Sequence, residues 1–96
     1  MSNNEVPSEF WTRADEYIAV ANNQSKSEST GKIGSSLLYA ATRFSAFDVA
    51  SSSSNEKEMR TDKDEAIAFY VEQFRKMITE NMDDYIENYD SYNPHG

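Results

Sequence analysis

Arg43 and Asp48 are the two charges within "LLYAATRFSAFDVA" (residues 37–50), the most apolar run of a polar, acidic chain. A charge in such a run is either a reactive group or a structural tie, because a buried, unpaired carboxylate costs several kcal/mol. At about 100° per residue, Arg43 falls on the flank of the apolar stripe and Asp48 within about 40° of its centre. Asp15 and Asn22, seven residues apart, share the flank of Trp11 on an earlier segment. Trp11, Asp15, Asn22, Arg43 and Asp48 therefore form one candidate cluster, and two kinds of chemistry suit it. The guanidinium fork of Arg43 can bridge to Asp15 and hydrogen-bond near Asn22, tying one helix to another. The same groups can instead line an interhelical pocket for a small ligand or a reaction, with Trp11 and Tyr39 as walls. The tie is the simpler expectation, and no catalytic residue is assigned.

Other chemistry finds little support in the residue types. There is no cysteine for a thiolate zinc site, and the only histidine, His95, lies in the C-terminal "NPHG" with no neighbouring ligand set, so neither a metal site nor a nucleophile–histidine pair is expected. Asp83, Asp84, Glu87 and Asp90 lack the spacing and the glycine of a calcium loop and read as a solvated face. "GKIGSS" (residues 31–36) has no strand before it and more simply opens a helix than cradles a phosphate. No metal or other cofactor is expected.

The elements that must position the cluster are helical. The apolar positions Phe10, Ala14, Tyr17, Ile18 and Ala21 recur at helical spacing, which predicts a first helix over about 8–23 with Ser8 as its N-cap. "NNQSKSESTGK" then carries no apolar residue and reads as a loop. A second helix is predicted over 30–52, with Ile33, Leu37, Ala40, Ala41, Phe44 and Phe47 crowded on one side. Leu38, Tyr39, Ala46, Val49 and Ala50 lie off that side, so this helix is apolar around much of its circumference. It should be the middle element or face a second chain. "SSSSNEKEMRTDKDE" reads as a second break, and Asp62 with Glu65 resembles a capping box. A third helix is thus predicted over 62–90, carrying Ile67, Tyr70, Phe74, Met77, Ile78 and Tyr85 on one face. No alternating β-branched run or hairpin turn occurs. The expected fold is all-α: a three-helix bundle in one domain, residues 8–91, between a disordered start (1–7) and a flexible end (92–96).

At 1.5 Å per residue the three helices would span about 24, 35 and 40 Å, so the end of the third outruns its neighbours. Met82, Tyr85, Ile86 and Tyr89 lie on that overhang. An exposed apolar strip of this kind marks an interface, and a homodimer that completes the bundle is the expected solution.

"FWTRADEYIAVANNQ" (residues 10–24) is distinctive. It resembles a family of small proteobacterial proteins of unknown function with the pattern F-W-x-x-A-D-x-[FY]-I-x-x-A-N-x-Q. Phe10, Trp11, Ala14, Asp15, Tyr17, Ile18, Ala21, Asn22 and Gln24 carry the match. A second block, "GKIGSSLLYAATRFSAFDVAS" (residues 31–51), extends it through Leu38, Tyr39, Ala40, Ala41, Arg43, Phe44, Ala46, Phe47 and Ala50. The resemblance implies a small helical fold and no activity.

Composition limits the partners. The net charge of −8 opposes binding to nucleic acid or anionic membranes through a broad electrostatic field. The opening "MSNNEVPSEF" is not expected to be a signal peptide, and no apolar run approaches the roughly 20 residues that span a bilayer. The expectation is a bacterial, cytoplasmic, non-enzymatic interaction module that pairs with itself and binds another protein. The alternative is a ligand binder or enzyme built on Asp15, Asn22, Arg43 and Asp48.

Overall fold

The computed structural model describes residues 6–92, and among them it is all-α. The elements are α1 (Ser8–Gln24), α2 (Thr30–Ser52), α3 (Glu56–Glu87) and α4 (Tyr89–Tyr92). The expected ends, 1–7 and 92–96, fall largely outside the described residues. Two units divide the chain, one closing at Asp48 and the other beginning at Val49.

The first unit holds α1 and most of α2. Pro7, not Ser8, occupies the N-cap position of α1 and gives no side-chain cap. Its carbonyl accepts from the Phe10 amide at 3.0 Å, and Glu9 places a carboxylate in the first turn, where the helix dipole favours one. The helix unwinds through Ser25, whose hydroxyl donates back to the Ala21 carbonyl at 2.9 Å, and then through tight turns at Lys26 and Ser27. The connection to α2 is only residues 25–29, shorter than the polar composition implies. Ser29 supplies the cap: its hydroxyl accepts from the Lys32 amide at 3.3 Å. Lys32 closes back on Glu28 at 3.1 Å, one turn away.

The second unit begins with the last turn of α2. Ser53 ends that helix, its hydroxyl donating to the Val49 carbonyl at 2.8 Å. Here the expected start of the third helix, residue 62, is corrected to Glu56. Asn55 is extended and its side chain accepts from the Glu58 amide at 2.9 Å, a true N-cap. Glu58 in turn accepts from the Ser54 amide at 3.3 Å, so the capping sits about two turns before the Asp62–Glu65 pair. Glu56 and Glu58 lie in the first turn, and Arg60 pairs with Glu56. A polar stretch with two acids at its start, a base one turn later and no Gly or Pro is a competent helix even without an apolar stripe. The 32 residues of α3 therefore span about 48 Å.

At its far end α3 does not run on to residue 90. Asn88 breaks it: its amide donates to the Asp84 carbonyl at 3.0 Å, and its side chain donates to the same carbonyl and to Asp84 Oδ1. The chain turns there into the single-turn α4, which packs against the end of α3.

Among the described residues neither unit contains a core. No described residue is buried. In the first unit Ala14, Ala21, Ser25, Ile33 and Ser45 are half-buried, and α1 and α2 share no packed face. In the second, Val49, Ser53, Met59, Ala66, Tyr70, Glu72 and Gln73 are half-buried. No described helix is long and apolar enough to cross a membrane.

Candidate functional site

The five residues of the polar cluster sit on two helices of the first unit. Trp11, Asp15 and Asn22 are on α1, and Arg43 and Asp48 are on α2. All five are exposed. Trp11 packs edge-on against its neighbour Phe10, with ring centroids 4.9 Å apart, rather than against α2. Among the described residues no ion pair joins Arg43 to Asp15, so the interhelical tie expected from the sequence is not formed within the chain. The reason is the packing: the helix wheel brings two groups to one stripe, but only contact between α1 and α2 could bring them within hydrogen-bond reach. Asp48 is engaged in an interaction of its own.

The ion pairs that the described residues do make are Lys32–Glu28, Arg60–Glu56 and Arg75–Glu72. Each closes within one turn of its own helix or the cap before it, and each is solvent-exposed, where such pairs contribute a few tenths of a kcal/mol. Among the described residues no group of three or more His, Cys, Asp or Glu side chains is placed to hold a metal ion.

The second candidate site, Met82, Tyr85 and Ile86 near the end of α3 with Tyr89 at the start of α4, is exposed. One feature of it was not visible in the sequence. The turn at Asn88 swings Tyr92 back over α3, so that its ring meets that of Tyr85 at a centroid distance of 4.7 Å. The Tyr92 hydroxyl donates to Asp84 Oδ2 at 3.4 Å. The Asp84 carboxylate raises the Tyr92 phenol above its ordinary value, with partial desolvation, that hydrogen bond and Tyr85 acting in the same direction. The i, i+8 pairing of Asp84 with Tyr92 needs the helix break, and Asn88 at the break is the signal that could have pointed to it.

Exposure of apolar side chains is not confined to the end of α3 and α4. Phe44 and Phe47 of α2 are 69% and 60% exposed while touching each other at 5.7 Å between centroids. Leu37, Leu38 and Tyr39 on the same helix are exposed as well, as are Tyr17, Ile18 and Val20 on α1. In the second unit Ile67, Phe69, Val71, Phe74, Met77 and Ile78 are in the same condition. Monomeric proteins rarely present contiguous apolar patches beyond a few hundred Å². Among the described residues, each of the long helices thus carries large apolar side chains in solvent.

The comparisons with known proteins agree with this small helical description. An NMR structure of the protein NB7890A from Shewanella sp. is similar at 34% sequence identity and a TM-score of 0.76, covering 99% of each chain. None of the curated proteins compared matches the chain. A family model described as "Protein of unknown function (DUF3144)" matches residues 10–86, most of the chain. The chain belongs to the DUF3144 family of proteins of unknown function.

Proposed function

We propose that this protein is a non-enzymatic, cytoplasmic helical module that pairs with a second copy of itself and, as a dimer, binds another protein. The observation that supports it is the presence of large exposed apolar side chains on every long helix with no buried residue among them. A second copy completes the helical bundle that one chain leaves open. The acidic remainder of the surface, at a net charge of −8, is what a further protein partner meets, and it disfavours nucleic acid and anionic lipid. The segment from Phe10 to Gln24 is read as the mark of a proteobacterial lineage. Sedimentation of the purified chain tests self-association, and capture from native cytoplasm with dimeric protein as bait tests the partner. A monomer at high concentration with α3 intact would remove the reading.

One observation favours a second reading. Among the described residues Arg43 makes no ion pair, and a guanidinium in that condition is an anion-binding group. On that reading the cluster of Asp15, Asn22, Arg43 and Asp48 serves a small-ligand binder or enzyme, with Arg43 taking the ligand's anionic end. Isothermal titration with carboxylate and phosphate compounds, on wild type and Arg43→Ala, separates the two: binding lost only in the variant supports a ligand site.

A further inference from the structure

We infer that folding and pairing are a single event: the chain has no stable folded monomer, and its hydrophobic core exists only between two copies. This rests on the self-association just proposed and goes beyond it, because a dimer can equally be built from two monomers that are each already folded.

Within the first unit, Phe10, Trp11, Tyr17, Tyr39, Phe44 and Phe47 each leave between 41% and 69% of their surface in solvent. At about 200 Å² per aromatic side chain, those six alone expose roughly 700 Å². A standard interface covers about 800 Å² on each partner, and the aliphatic Ile18, Val20, Leu37 and Leu38 still have to be added. The surface awaiting cover thus has the size of a complete dimer interface. It is also made of the residues that would otherwise be the core, since no described residue of the unit is buried.

A lone chain in this state has no means of stability. Its backbone hydrogen bonds lie within single helices, and isolated helices are marginal in water even for strong helix formers. The intrahelical ion pairs add only tenths of a kcal/mol each. α2 also carries Gly31 and Gly34, which weaken it, and a Cβ at either position meets no atom within 4 Å, so no contact within the chain calls for them. Ordering each residue costs on the order of 1–2 kcal/mol, which only extensive apolar burial offsets. A partner required for the fold itself must be present whenever the chain is made, and a second copy meets that condition by construction. Obligate dimers show this behaviour, with stability inseparable from protomer concentration.

The test is a dilution series of the full chain, followed by far-ultraviolet circular dichroism and sedimentation velocity on the same samples, with urea unfolding at each concentration. The expected result is that helical signal and dimer disappear together, and that each tenfold dilution lowers the apparent stability by tenfold in the unfolding constant, about 1.4 kcal/mol. A dimer that dissociates into a helical monomer, with a urea midpoint independent of concentration below that dissociation, overturns this inference and leaves the proposed module standing. A helical monomer at every concentration overturns both. A chain that stays unfolded and monomeric throughout overturns the second copy as the occupant and assigns the core to a different protein.

Discussion

Replacing Phe44 with alanine separates a surface from a hidden interface. In the chain by itself Phe44 is 69% exposed, and its neighbour Phe47 supplies much of what covers it. Removing it there forfeits little burial and gains the better helix propensity of alanine, so the net effect should stay within about 0.5 kcal/mol. Between two copies the outcome differs. An exposed area of about 140 Å², from 69% of a typical aromatic surface, corresponds at about 25 cal/mol per Å² to an upper figure of about 3.5 kcal/mol per copy. Alanine keeps part of that, which leaves about 2–3 kcal/mol per copy. Symmetry counts the loss twice, giving about 4–6 kcal/mol per dimer, or roughly three to four powers of ten in the dissociation constant. Sedimentation equilibrium or fluorescence dilution on wild type and Phe44→Ala measures the ratio, with Lys63→Ala as a surface control. A dissociation constant unchanged within a few-fold would place Phe44 in solvent even in the assembled protein, and the role given to α2 would fall.

Loss of the α3 cap in Asn55→Ala should cost about 1 kcal/mol, because the Glu58 amide loses its acceptor; urea unfolding at fixed concentration checks it. Gly34→Ala puts a methyl group into open space and should raise stability by about 0.8 kcal/mol through helix propensity, seen as a higher melting temperature; a lower one would mean that another chain lies against that turn. The Tyr92 phenol is held neutral by Asp84, so the closure of α4 on α3 is fully favoured below the unfolded value of 10.0 and is lost as pH rises through the higher folded value. Asp84→Asn removes the largest cause and should bring the Tyr92 titration down toward 10.0, followed by NMR of the labelled ring; an unmoved titration would refute the contact.

The helices were legible where apolar residues recur, since spacing reports directly which side of a helix seeks cover. α1 and α2 lie where Phe10 to Ala21 and Ile33 to Phe47 place them. The first six residues of α3 were not legible that way, because "EKEMRT" carries a single apolar residue and its helicity comes from a cap and from charge order. Asn55 with Glu58 was the available sign, and Asp62 with Glu65, nearer the apolar run, competed with it. The polar cluster shows a different limit. Spacing placed Asp15 with Asn22 on one stripe and Arg43 beside another, but whether two stripes meet depends on contacts distant in sequence, and these do not form between α1 and α2. The apolar circumference of α2 was readable from Ile33, Leu37, Leu38, Phe44 and Phe47, and it remains uncovered in the chain.

Arg60–Glu56 and Arg75–Glu72 each stitch a helix to itself, and Lys32–Glu28 ties α2 to the turn before it. Attraction between copies would then come mainly from apolar contact, while eight surplus negative charges on each push them apart. Raising the ionic strength from a few millimolar to physiological values shortens the reach of that repulsion to about 8 Å. Salt should therefore tighten the assembly rather than loosen it, the reverse of a complex keyed by complementary charge.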